Sequence, residues 1–248
     1  MLSKDLEKIK LAEFQQPIRC CNVTAIAYAL TALGHPTTID EIFYATRLPI
    51  ASVLDDGMTL SETYDTCVKY IENMRLPLSA EVEHFDKDTI TLDSFLKELE
   101  KAVMDEDDIH ILNFNAKIAH NNKNLEGGHF SLLADYDPIT QEMTIADTNP
   151  KRYTRLWKCP AQRMYEACVD KDSSCDRSRG TIVLRKIKNT QQIASVKSTT
   201  QLLKIGEDTE LSLDKLLGMK EVVTLMRQAL LTELSNTRLL DSAEATQD

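Results

Sequence analysis

The chain has 248 residues, enough for one sizeable domain or a domain with an appendage, and its hydrophobic content of 42% can build a core. A formal net charge of -10 excludes the basic footprint of a nucleic-acid-binding protein, and the charged content of 27% is ordinary for a soluble chain. An anionic substrate would therefore need local Arg and Lys to reverse the background at its site.

Residues Met1 to Lys10 alternate charged with apolar side chains, and no run approaches the ~20 apolar residues of a membrane span. The expectation is no secretory signal, no membrane association and a cytoplasmic location, with export by a signal-independent route left open. Six cysteines at positions 20, 21, 67, 159, 168 and 175 form no Cys-x-x-Cys pair. That pattern predicts reduced thiols and no zinc site or disulfide framework; no cofactor is expected.

Asn22 to Leu33 is small and apolar without interruption and ends at Gly34 with Pro36 beyond, which predicts a helix buried on every side. Thr38-Ile-Asp-Glu opens a second helix to about Arg47, stopped by Pro49. Asp56-Gly57 reads as a turn, and Met58-Thr-Leu-Ser-Glu as the cap of a third helix through Tyr70. Thr91 to Met104 is a fourth, with Leu92, Phe95, Leu96, Leu99 and Val103 on one face. Beyond Asp108 the period changes. Ile109 to Phe114, Gly128 to Tyr136, Glu142 to Asp147 and Thr181 to Lys186 read as strands, with Asp137-Pro138 turning between two of them. Helices followed by antiparallel strands predict an α+β fold with a helical lobe and a sheet lobe. Residues 189 to 205 read as a linker. Leu211 to Leu240 reads as an amphipathic helix that packs back or meets a protein partner, and Ser242 to Asp248 as a disordered end.

A thiolate needs its pKa lowered, and a helix N-terminus does this through unpaired N–H groups and the positive end of its dipole. Cys21 opens the buried helix, whereas Cys20 points about a quarter-turn away. His129 follows Gly127-Gly128 at the start of a strand, with open space expected around it. Eighteen residues on, Asp147 ends the paired strand, so an antiparallel hairpin brings the two together, as an imidazole and its orienting carboxylate require. Gln15, six residues before Cys21, is the candidate oxyanion donor, with Gln16 competing for the role. His35, His84, His110 and His120 are scattered and are expected to be structural or solvated, with no metal-binding spacing.

These segments resemble the catalytic domain of the phytochelatin synthase family, papain-like transpeptidases. Gln15 to Leu33 resembles the nucleophile segment, Gly128-His-Phe-Ser with Tyr136-Asp the histidine motif, and Asp147 with Tyr153 and Trp157 the segment of the triad aspartate. Ser178-Arg-Gly-Thr-Ile-Val-Leu resembles the closing strand. The resemblance covers about residues 10 to 187 and implies a papain-like catalytic domain over 1–188, followed by a linker and helical extension over 189–248. It implies Cys21 as nucleophile, His129 as base then acid, Asp147 as orienter and Gln15 as oxyanion donor, with no fixed catalytic metal. The implied reaction is attack of Cys21 on the cysteinyl–glycine bond of glutathione, or of a metal–glutathione complex. Glycine is released, and the γ-glutamylcysteinyl thioester passes to water or to a second glutathione. A homodimer is compatible with the resemblance.

The chain departs from the family pattern in several places. Cys20-Cys21-Asn22 stands where the family has Tyr-Cys-Gly, and Asn22 is expected to narrow the space beside the thiolate against the substrate. Pro150 stands where the family tends to carry Arg, so Arg152 or Arg155 is the candidate replacement. Arg179 is the expected clamp for a substrate carboxylate. No Cys-rich C-terminal region follows, which brings the chain nearer the short prokaryotic members. Two other readings compete: a cysteine protease or acyltransferase acting on a protein, and a binding module on the same scaffold. Retention of Cys, His, Asp and Gln together argues against the last.

Overall fold

The computed structural model describes residues 16–17 and 19–187. The chain divides into two units, Met1–Ile193 and Ala194–Asp248, and every described residue lies in the first. Gln15, the linker and the helical extension with its expected protein partner lie outside the described residues.

Helix α1 (Cys21–Ala32) is built from small apolar residues, and all but Cys21 and Thr31 are buried, so it runs through the centre of the unit. Gly34, at φ +92, accepts the left-handed conformation that ends it, and His35 N–H returns to the Leu30 carbonyl at 2.9 Å. Helices α2 (Ile39–Thr46) and α4 (Leu60–Met74) each start from a capping box, Thr38 with Glu41 and Thr59 with Glu62. Between them Ile50–Asp56, to which the sequence pattern assigns no element up to the Asp56-Gly57 turn, forms the short helix α3 behind Pro49. Helix α4 runs one turn beyond the predicted Tyr70. Helix α5 (Leu92–Ala102) buries Phe95, Leu99 and Ala102.

The strands are β1 (Leu78–His84), β2 (Asp108–Asn115), β3 (Gly128–Asp137), β4 (Glu142–Ala146), β5 (Leu156–Pro160) and β8 (Gly180–Lys186). They form one sheet in the order β1-β8-β2-β3-β4-β5, with every neighbouring pair antiparallel. Between β2 and β3 lies the one-turn helix α6 (Ala116–Ala119). Pro150–Tyr153 is the one-turn helix α7, and α8 (Ala161–Cys168) follows β5. The two-residue strands β6 (Lys171–Asp172) and β7 (Arg177–Ser178) make a separate hairpin.

The expected α+β class stands, with antiparallel sheet and helices in one unit, but the simple succession of a helical lobe and a sheet lobe does not. Strand β1 precedes α5 and joins the far edge of the sheet, and the sheet is covered on both faces. One core joins α1, α2 and α4 to Ile109, Ile111, Phe130, Leu132, Ile182 and Leu184. The other joins α5 and α8 to Leu112, Phe114, Leu133, Met143 and Ile145. Alternate residues of one strand thus feed opposite cores, and the near-continuous apolar run Phe130 to Ala134 satisfies both. No helix among the described residues is long and apolar enough to cross a membrane.

Candidate active site

The N-terminus of α1 meets the start of β3. Cys20 turns into the core, and Cys21 faces a cleft of about 1450 Å³. Helix α1 has no side-chain hydrogen bond from its N-cap residue and no acidic residue in its first turn, and Val23 N–H is taken by Asn22 Oδ1, so the N–H groups of Cys21 and Asn22 are the ones that face the thiol and whatever binds beside it. The Cys21 sulfur accepts hydrogen bonds from the His129 ring and from the backbone N–H groups of Asn22 and Phe130.

His129 is the second residue of β3. Leu132 pairs with Ala146 across β3 and β4, which brings Asp147, one residue past β4, diagonally beside it. His129 Nε2 donates to Asp147 Oδ1 at 2.9 Å, so Nδ1 is the nitrogen that serves Cys21. The predicted open space around His129 is absent: it is 5% exposed and Asp147 is 0% exposed. The ring stands edge-on to Phe114 at 5.6 Å and tilted against Tyr153 at 5.0 Å. Asp147 Oδ1 also accepts the Asn149 N–H at 2.8 Å, and Oδ2 accepts Trp157 Nε1–H at 2.8 Å. Three donors and complete burial fix this carboxylate in one orientation.

The electrostatics follow from these contacts. Burial pushes the Cys21 thiol up, but the hydrogen bond and charge of His129, with the two backbone N–H groups, outweigh it and hold the thiol below its ordinary value. Burial pulls the His129 imidazolium down, yet the bonds to Asp147 and Cys21 and their negative charges push it up to about 9. Burial raises Asp147, and the hydrogen bond and charge of His129, then Asn149 and Trp157, bring it below the usual carboxylate range. Four other cysteines go the opposite way. Burial raises Cys20 and Cys168, pushes Cys67 up to about 12 and pushes Cys159 up to about 11. The arrangement favours a thiolate–imidazolium pair at one sulfur.

The structure therefore brings Cys21, His129 and Asp147 together. The remaining sequence-derived residues are disposed differently. Asn22 lines the cleft but is 1% exposed, and its Oδ1 accepts the Val23 N–H at 2.7 Å, so its amide oxygen is already engaged. Arg152 is exposed at the cleft and lies over the Tyr153 ring at 5.3 Å. Arg179 also lines the cleft, but it is buried and donates to Asp172 at 2.7 Å, with Asp170 at 3.9 Å. It is one half of an ion pair, not a lone cation. Gly128 makes room for it, since a Cβ there would stand 2.4 Å from its guanidinium.

Gln16 is tied to Thr148. Its backbone N–H donates to the Thr148 carbonyl at 2.8 Å, and its amide meets the Thr148 hydroxyl at 2.7 Å. That hydroxyl also reaches the Phe130 carbonyl at 3.0 Å. One proton cannot serve two acceptors fully, and turning the Gln16 amide so that Nε2 donates to Thr148 satisfies all three groups. Gln16 is thereby a tether between the chain before α1 and the residue next to Asp147.

Sequence reasoning missed the donation from Trp157 to Asp147 and the place of His120, whose ring stacks on Tyr153 and Trp157 at 4.4 and 4.1 Å. A tryptophan ten residues after the aspartate, on the next strand, was the available signal for the first. Among the described residues no group of three or more His, Cys, Asp or Glu is placed to hold a metal ion.

Fold and site together define an α+β protein with a cysteine–histidine–aspartate cluster where a buried helix meets a sheet. The particular family follows from comparison: a family model described as phytochelatin synthase matches residues 9–181, well over half of the chain, and the chain belongs to that family. It is a family of enzymes, acyltransferases and peptidases that use glutathione as substrate. A comparison with individual curated proteins finds no match.

Proposed function

We propose that the chain is a papain-like cysteine acyltransferase and peptidase that cleaves the cysteinyl–glycine bond of glutathione, free or as a metal–thiolate complex. The observation that carries this reading is the Cys21–His129–Asp147 chain of hydrogen bonds at the cleft, in a member of a glutathione-using family. The Cys21 thiolate attacks the carbonyl carbon. The oxyanion is held by the Cys21 N–H, which opens α1 without an intrahelical partner, and by Gln15. As the carbon–nitrogen bond breaks, the His129 imidazolium gives its proton to the departing glycine amine. A γ-glutamylcysteinyl thioester remains on Cys21. His129, now neutral, takes a proton from water or from the amine of a second glutathione, and the acyl group leaves.

Glutathione carries two carboxylates and an ammonium, and the cleft lining supports recognition of both signs. Asp172 and Arg179 form an ion pair on one wall, suited to the amino-acid end of the γ-glutamyl group, and Arg152 on another wall suits the second carboxylate. Asn22 supplies its backbone N–H to the thiolate and narrows the adjoining wall.

A second reading, a protein substrate, draws on the cleft volume of about 1450 Å³, which exceeds the roughly 300–1,000 Å³ of small-molecule pockets. One experiment separates the two. Purified protein is incubated with glutathione, free glycine is measured and the products are weighed by mass spectrometry. Release of glycine with γ-glutamylcysteine or longer γ-glutamylcysteinyl chains supports glutathione chemistry. No glycine release, with Cys21 still trapped by an acylating probe, favours a protein substrate.

Because Asp147 orients and does not react, Asp147→Ala is expected to lower kcat by roughly 10²- to 10⁴-fold, less than loss of Cys21 or His129. Loss of activity equal to that of Cys21→Ala would contradict the purely orienting role.

A further inference from the structure

His120 caps α6 and stands outside the cysteine–histidine–aspartate cluster in sequence, yet its ring joins the cluster's aromatic surround. The His120 and Tyr153 rings lie 4.4 Å apart with planes 11° from parallel, and Trp157 lies 4.1 Å away, tilted by 37°. Both partners touch the cluster. The Tyr153 ring is 5.0 Å from that of His129, and Trp157 donates to Asp147 at 2.8 Å. His120 Nε2 is buried with no hydrogen-bond partner among the described residues. A phenylalanine would fill the same stack without that unsatisfied nitrogen, so packing alone does not account for an imidazole here.

The groups that act on a proton at His120 come from several elements. Burial is the strongest and opposes it, Asp147 favours it, and the His129 imidazolium and Arg152 oppose it. From β5, Cys159 reaches the Ala119 carbonyl at 3.5 Å, and burial keeps its thiol neutral. Helix α8, packed against α6, turns Ala161, Met164, Ala167 and Cys168 inward, and the Cys168 thiol is likewise neutral. His120 is thus held below the ordinary histidine value and is neutral where His129 is charged.

We infer that His120 is a positioning residue for the thiolate–imidazolium pair. Neutral, its ring clamps Tyr153 and Trp157 against His129 and Asp147; protonated, it competes with His129 for the charge of Asp147 and returns the shared proton to Cys21. The proton count is unchanged in that transfer. It moves from His129 Nδ1 to the Cys21 sulfur, and the attacking anion is lost. The inference rests on Cys21 being the nucleophile proposed above.

Trp157 is the single tryptophan of the chain, and an imidazolium stacked on an indole quenches its emission. The full-length protein is titrated by fluorescence as wild type, His120→Phe and Cys21→Ala. An acid transition with a midpoint below the ordinary histidine value, present in wild type and Cys21→Ala and absent in His120→Phe, is expected. In parallel, Cys21 is alkylated with iodoacetamide across the same pH range and quantified by peptide mass spectrometry. At the acid end His120→Phe is expected to react roughly three- to tenfold faster than wild type, because no second cation opposes the His129 imidazolium. His120→Ala, lacking the clamp, is expected to react more slowly throughout. A wild-type titration with no acid transition, or one that survives His120→Phe, would overturn the inference, as would superimposable wild-type and His120→Phe alkylation profiles. A Cys21 that fails to alkylate at any pH would instead overturn the nucleophile assignment, and the fluorescence titration would still report on His120.

Discussion

Cys21→Ala is expected to abolish glycine release from glutathione, lowering the rate by at least roughly 10⁴-fold while leaving the fold intact. Cys21 is half-exposed at the start of α1, and alanine is tolerated at a helix start whose neighbours are already small. None of the other cysteines lines the cleft. Cys20 lies one residue away but is buried in the core with its thiol raised by burial and by the charge of Cys21. The measurement is free glycine against time for the two proteins, with circular dichroism as the folding control. Glycine release that persists in the variant would remove the mechanism.

His129→Ala is expected to produce a loss of similar size, through the sulfur. With the imidazolium gone, burial, already the largest single influence on Cys21, is opposed only by the N–H groups of Asn22 and Phe130. The thiol then rises, and alkylation of Cys21 at neutral pH is expected to slow by roughly 10²-fold. In the wild type, turnover follows a bell. On the acid side it rises as Cys21 loses its proton below the ordinary thiol range. On the alkaline side it falls as His129 gives up its proton near about 9, because the leaving amine then has no acid. An alkaline limb that stays flat through that region would contradict the assignment of His129 as the acid.

Much of this site was legible in the sequence because its parts are carried by strong local signals. An uninterrupted apolar helix behind Cys21 and a hairpin between His129 and Asp147 place three side chains with few assumptions. The hairpin even absorbs the register shift between Leu133 and Asp135 without separating them, since that irregularity lies towards the turn. What stayed hidden has weak or long-range causes. Strand β1 is an edge strand with only Leu78 fully buried, and β5 occupies the opposite edge with only Cys159 buried, so neither has a strong apolar pattern. Helix α8 begins directly behind Pro160, which reads as a breaker until it is seen to precede the first helical residue.

The charged residues show the same limit. Arg179 reads as an unpaired cation in sequence, but the β6–β7 hairpin returns Asp172 to it from seven residues upstream. His120 carries no motif at all. Its importance comes from ring contacts across α6, α7 and β5, and no periodicity records such an encounter. Family membership supports glutathione-related chemistry at the level of the family.

The proposed chemistry requires Cys21 to be a thiolate at neutral pH because His129 is protonated beside it. Far-ultraviolet thiolate absorbance, recorded against pH as the difference between wild type and Cys21→Ser, tests this without any substrate. A thiolate signal already present at neutral pH and lost only on acidification is expected. A signal that appears only as pH rises through the ordinary thiol value, about 8.5, would contradict it.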